Sequence, residues 1–162
     1  MSRRIALWLM ALWLLTGGMA SAETEFAQGF ALTLPQGFEE LALTKEDEQS
    51  GFLLRAACEA NKLTLAVQWQ PVKRGAASMR EYVRAMSQKD EHVTIPDMDG
   101  IPSDFVYCVE KREGDQQAAF TLSLFSATKN GHVLNCWFFV PEGGAEDAPQ
   151  KVMQSFRWIE GS

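Results

Sequence analysis

The chain has 162 residues, 46% of them hydrophobic and 22% charged, with 15 Lys and Arg against 21 Asp and Glu. That length sets the scale of one domain, and so apolar a chain can offset the ordering entropy that keeps a disordered tail unfolded. A formal charge of −6 opposes a phosphate backbone and no stretch supplies a compensating basic stripe, which argues against a nucleic-acid partner.

The first 22 residues read as a targeting segment. Arg3 and Arg4 precede an unbroken apolar run from Ile5 to Leu15, and Ala20-Ser21-Ala22 offers the small residues of a signal-peptidase site, so cleavage is expected before Glu23. The run falls short of the roughly 20 apolar residues that span a bilayer, and no cysteine stands at the cleavage point to take a lipid. No stable membrane anchor is therefore expected. The product, residues 23–162, is predicted to be a single periplasmic or secreted domain with 13 basic and 21 acidic side chains, a net charge of −8.

Short strands dominate the rest of the chain. Phe30, Leu32 and Leu34 alternate with small or polar residues and stop at Pro35-Gln36-Gly37, a strand running into a turn; Phe38 to Leu43 reads as a second strand. The polar run from Thr44 to Gly51 reads as a solvated loop. Phe52 to Ala60 then pairs with Lys62 to Gln70 around Asn61, with Leu63, Leu65, Val67 and Trp69 on one face.

A helix opens at Ser78, where Ser78 and Glu81 have the spacing of a capping box and Met79, Tyr82, Val83 and Met86 fall on one side. An extended piece from His92 to Ile95 and a turn from Pro96 to Gly100 lead to a strand from Phe105 to Lys111 that ends at Glu113-Gly114-Asp115. Strands from Ala118 to Ser126 and from Val133 to Val140, joined at Lys129-Asn130-Gly131, complete an antiparallel meander. After Gly143-Gly144, Asp147 and Pro149 open a closing helix with Val152, Met153 and Phe156 on one side. The predicted class is α+β, an antiparallel sheet flanked by helices.

The segment Gly29-Phe30-Ala31-Leu32-Thr33-Leu34-Pro35-Gln36-Gly37-Phe38 resembles the start of PsbP/DcrB-like domains, in which a strand ends in Leu-Pro-x-Gly before an aromatic residue. The order of elements extends the resemblance over nearly all of residues 23–162. It implies a PsbP-like sandwich and a non-enzymatic role as an accessory, adaptor or chaperone-like protein. It carries over no site residue.

Few residues suggest chemistry. His92 and His132 have no second His or Cys at ligand spacing, and Asp97, Asp99 and Asp104 lack the closing glutamate of an EF-hand, so neither metal nor cofactor is expected. Trp69 and Trp137 lie within apolar strands, where core packing is the ordinary explanation and a ligand platform the rarer one. Among the three cysteines, a meander separates Cys108 from Cys136 by two strand spacings, roughly 9–10 Å and beyond disulfide reach. Cys136 shares a face with Leu134, Phe138 and Val140 and is expected to be buried and reduced, which leaves Cys58 with Cys108 as the candidate bridge.

Three functions fit these residues. The first is an exported, non-enzymatic binding protein acting through a protein interface; the second is a periplasmic immunity protein that neutralises a secreted toxin. The third is a small hydrolase with a dispersed site, which needs a cleft joining His132 to a carboxylate and a Ser or Cys. Plain solubility is the ordinary reading of acidic loops; the sharper one, under the first function, makes Glu46, Asp47 and Glu48 together with Asp97, Asp99 and Asp104 a negative face that steers a basic protein partner.

Overall fold

The structure, a computed structural model, describes residues 21–72, 79–96, 100, 102, 104–113 and 118–160. Two antiparallel sheets face each other. The smaller has the strand order β1-β2-β10, from β1 (Ala22–Phe26), β2 (Phe30–Leu34) and β10 (Arg157–Trp158). The larger has the order β3-β4-β5-β9-β8-β7-β6, from β3 (Glu39–Leu41), β4 (Phe52–Cys58), β5 (Leu63–Pro71), β6 (Val93–Thr94), β7 (Val106–Arg112), β8 (Phe120–Lys129) and β9 (His132–Pro141). Three helices join them among the described residues: α1 (Lys45–Gln49), α2 (Met79–Lys89) and α3 (Ala148–Gln154). The α+β class with antiparallel pairing is as expected.

Strand alternation decides what each face of the large sheet does. Leu54, Leu65, Val67, Leu134, Cys136, Phe138 and Phe125 project to one side and meet Phe30, Leu32, Val152, Met153 and Phe156 from the small sheet and the α3 region in one buried core. The aromatic rings interlock there: Phe30 stacks on Phe26 at 4.4 Å, and Phe156 meets Phe105 edge-on at 4.7 Å. Polar bonds pin the layers as well. The Thr33 N–H donates to Ser155 Oγ at 3.0 Å, and Arg157 donates from Nε and Nη2 to the two carboxylate oxygens of Glu23 at 3.0 and 2.6 Å.

The opposite face of the large sheet is covered by α2 over one half. Val83 of α2 is fully buried against Val93 and Cys108, with Val106 and Leu124 packed beside them. Met86, expected on the same side, is instead 36% exposed. The Ser78 partner of the expected capping box lies outside the described residues.

Three expectations are corrected. The run Thr44–Gly51 is not a plain loop, because Thr44 caps α1: the Asp47 N–H donates to Thr44 Oγ1 at 3.1 Å and the Thr44 N–H to Asp47 Oδ2 at 3.0 Å. Strand β2 belongs to a separate small sheet, held between β1 and β10, neither of which the alternation pattern announces. The Cys58–Cys108 bridge is ruled out by topology. β4 and β7 stand four strand steps apart, roughly 19 Å, and the cross-strand registers put Cys58 on the core face and Cys108 on the α2 face. All three cysteines are free and buried. The separation of Cys108 from Cys136 by β8, and the burial of Cys136, agree with expectation.

Gly51 shows where backbone space limits the sequence. Its φ is +80°, and a Cβ there would lie 2.3 Å from the Trp69 carbonyl oxygen, in the turn where the Trp69 N–H donates to Gly51 O at 2.8 Å. Gly131 has a φ of +75° but open space around it. Gly131→Ala should therefore cost only the left-handed backbone penalty, about 1–2 kcal/mol, whereas Gly51→Ala adds a clash that must displace β5. Urea unfolding of the two variants checks this, with Gly51→Ala expected to be clearly the less stable.

Candidate functional site

The acidic residues singled out in the sequence separate into different roles. Asp47 is engaged on every side: besides the cap, its Oδ1 accepts from Arg55 Nη2 at 2.6 Å. The Thr44 backbone and hydroxyl, and then Arg55, hold its carboxyl below the ordinary aspartate value. Glu46 and Glu48 are exposed on α1. Asp104 Oδ2 accepts the Trp158 indole N–H at 2.6 Å and so anchors β10. Asp97 and Asp99 lie outside the described residues. α1 precedes β4 and Asp104 precedes β7, at the same end of the large sheet but four strands apart, with Lys129 and His132 on the strands between them. The described ones, Glu46, Asp47, Glu48 and Asp104, are not gathered into one negative face.

His132 is occupied by packing. Its ring stacks on Trp69 at 5.1 Å with an interplanar angle of 11°, and its Nδ1 lies 3.0 Å from the Asn130 carbonyl oxygen. Beside it, Lys129 Nζ sits 4.5 Å above the Trp158 ring. The cleft that a hydrolase would need at His132 is not formed by the described residues. Cys108 and Cys136 offer no ready nucleophile either, since burial raises Cys136 to about 12 and, helped by Glu110, Cys108 to about 11. Among the described residues no three His, Cys, Asp or Glu side chains converge as metal ligands.

What the fold does bring together is apolar. Two cross-strand rows on the α2 side of the large sheet run Leu41–Arg55–Ala66–Trp137–Leu124–Cys108 and Glu39–Ala57–Thr64–Phe139–Leu122–Glu110. α2 covers their Leu124–Cys108 end. Over β3, β4, β5 and β9, α1 reaches this face only at the end marked by Arg55 and Gln68, and Leu41 and Phe139 remain 47% and 41% exposed. The result is a trough of about 250 Å³. Its floor is the small pair Thr64 and Ala66; Leu41 walls it on the β3 side, and Trp137, Phe139 and Leu122 wall it on the other. Phe120 extends the second wall, its ring 5.3 Å from that of Phe139.

Arg55 closes one end of this trough with its charge already matched by Asp47 and its guanidinium 4.6 Å above the Phe52 ring. At the outer edge, Glu39 and Glu40 of β3 are exposed, and neither makes an ion pair among the described residues. The one pointer to this surface in the sequence is Trp137, whose rarer reading as a platform is the one its position favours. Exposed contiguous apolar surface rimmed by charge is the usual mark of an interaction site.

No protein-family model and no curated protein matches the chain. Among solved structures, one from Bacteroides thetaiotaomicron matches with a TM-score of 0.59 at 14% identity, over 88% of this chain and 50% of that one. The chain thus spans about half the length of that protein. A cyanobacterial PsbP from Synechocystis matches with a TM-score of 0.49 at 17% identity, over 89% of this chain and 96% of that one. Likeness at such identities is likeness of fold.

Two outcomes follow from the site chemistry. Because the Asp47 carboxyl is held below its unfolded value, it contributes stability that is present above the ordinary aspartate range and lost as pH falls through the lowered value. The gap in urea midpoint between wild type and Asp47→Asn should accordingly be widest near about pH 7 and narrow toward about pH 3. Iodoacetamide should leave Cys136 unmodified in the native protein and label it after unfolding, as peptide mass mapping will register; rapid native labelling would contradict its burial.

Proposed function

We propose that this chain is an exported, non-enzymatic binding protein whose working surface is the open trough of the large sheet. The observation that carries the reading is the placement of Trp137 and Phe139 opposite Leu41 on the part of the face left open between α1 and α2. Large aromatic side chains left half-exposed beside small floor residues cost solubility unless a partner covers them, and such anchors supply most of the binding energy in protein interfaces. Export to the periplasm is supported by the charged, apolar and small-residue succession of the first 22 residues. The resemblance of Gly29–Phe38 to PsbP/DcrB-like domains supports an accessory role in place of catalysis.

Site-specific photo-crosslinking in the native cell envelope tests this. A crosslinking side chain at position 139 should give an adduct of one defined mass, whereas the same group at position 154, exposed on α3 in the opposite layer, should give none. Equal adduct patterns at the two positions, or no adduct at 139, would refute the reading.

A further inference from the structure

We infer that the occupant of the trough is a basic amphipathic helix of a partner protein, which lies beside α2 and completes a helical layer over the large sheet. This rests on the binding role proposed above and specifies the chemistry of the partner.

Width comes first. From β3 to β9 is three strand steps, roughly 14 Å, and a helix with its side chains is about 10–12 Å across. A helix therefore fits lengthwise between the Leu41 wall and the Trp137–Phe139 wall. α2 already occupies the neighbouring lane over β6, β7 and β8, where Val83 meets Val93 and Cys108. The floor suits a helix too. Thr64 and Ala66 are short, so a helix can settle between the taller walls and present i, i+3 and i+4 apolar residues to both.

Charge selects the flank of that helix. The one cation among the residues that line the trough, Arg55, is matched by Asp47 at 2.6 Å, while Glu39, which its cross-strand row puts on the trough face, stands exposed at the outer rim without an ion-pair partner among the described residues. A helix with Lys or Arg on the side facing β3 meets that carboxylate, and an acidic helix is repelled. Glu39 and Glu40, on the two sides of the strand, also disfavour a second copy pairing edge to edge through β3, since that would set like charges against each other.

The probe is a synthetic helix of the heptad Leu-Lys-Lys-Leu-Leu-Lys-Leu written twice, titrated into the exported chain and followed by circular dichroism and tryptophan fluorescence. The expected result is saturable binding with a gain in helicity. Affinity should fall roughly tenfold or more with Phe139→Glu, and again with Glu39→Lys, both at exposed positions. Glu91→Lys plus Glu160→Lys, exposed beyond α2 and β10 and away from the trough, should leave affinity within about twofold, which separates the trough from general attraction to an acidic protein. The counterpart with Glu in place of Lys should not bind.

Any of four results would overturn the inference: no binding, binding indifferent to Phe139→Glu, binding of the peptide as a strand without helicity, or displacement by laurate, which would assign the trough to an acyl chain. A crosslink at position 139 together with failure of the peptide would remove the helical occupant and leave the binding role standing.

Discussion

Strand β9 sets the terms for the rest of the molecule, because it is apolar on both sides. Leu134, Cys136, Phe138 and Val140 point one way and Val133, Trp137 and Phe139 the other, with Asn135 the polar exception. A central strand of this kind needs cover on two faces. The first face receives the small sheet and α3, and its residues are buried to within a few per cent of completely. The second receives α2 over the β7–β8 half. Asn135 is accommodated on that face by a polar chain in which Ser126 Oγ donates to its Oδ1 at 2.6 Å and Gln68 donates onward to the Ser50 carbonyl at 2.9 Å. Trp137 and Phe139 get no such provision. Their exposure is what turns an ordinary sandwich into one with a surface available for binding.

The small sheet is held down by contacts distant in sequence, which explains why two of its strands can be so short. β10 pairs with β2 at only Arg157–Ala31 and Trp158–Phe30. It is fixed by side chains instead: Arg157 bridges to Glu23 on β1, and Trp158 is bonded to Asp104 and lies under Lys129. The aromatic rings of Phe30, Phe105, Phe156 and Trp158 then bind both sheets at one end. Asp104 thus serves the fold, although the sequence offered it as part of a negative face.

The strands legible in the sequence are apolar runs bounded by turn residues: β4 and β5 bury every second residue over most of their length, whereas β2 and β9 are buried on both faces. The Asn130-Gly131 hairpin is announced by its turn residues, both of which take positive φ. What escaped lacks such a pattern. α1 buries no residue and depends on its cap and the Asp47–Arg55 pair, so it reads as a polar loop; the Thr44-x-x-Asp47 spacing was its one available signal. β1 and β10 are too short for periodicity to register. The pairing of Cys58 with Cys108 failed because sequence order does not reveal that β9 inserts between β5 and β8. The trough was half legible. Naming Leu134, Cys136, Phe138 and Val140 as one face leaves Trp137 and Phe139 on the other, but only the sheet order reveals that α2 stops short of them.

The distribution of charge follows the same division of labour. Carboxylates that hold the fold are paired: Asp47 with Arg55, Glu23 with Arg157, Asp90 and Glu110 with Arg112. Exposed pairs of this kind add little stability one by one, but each occupies a cation, and cations are the scarcer species in a chain with 15 Lys and Arg against 21 Asp and Glu. The surplus negative charge is thereby left on groups outside these pairs, Glu39 and Glu40 of the β3 edge among them. An edge strand needs protection from indiscriminate pairing, and charge is one means of providing it. On β3 one of those carboxylates, Glu39, also faces the open trough, so part of the charge that protects the edge gives the trough a sign.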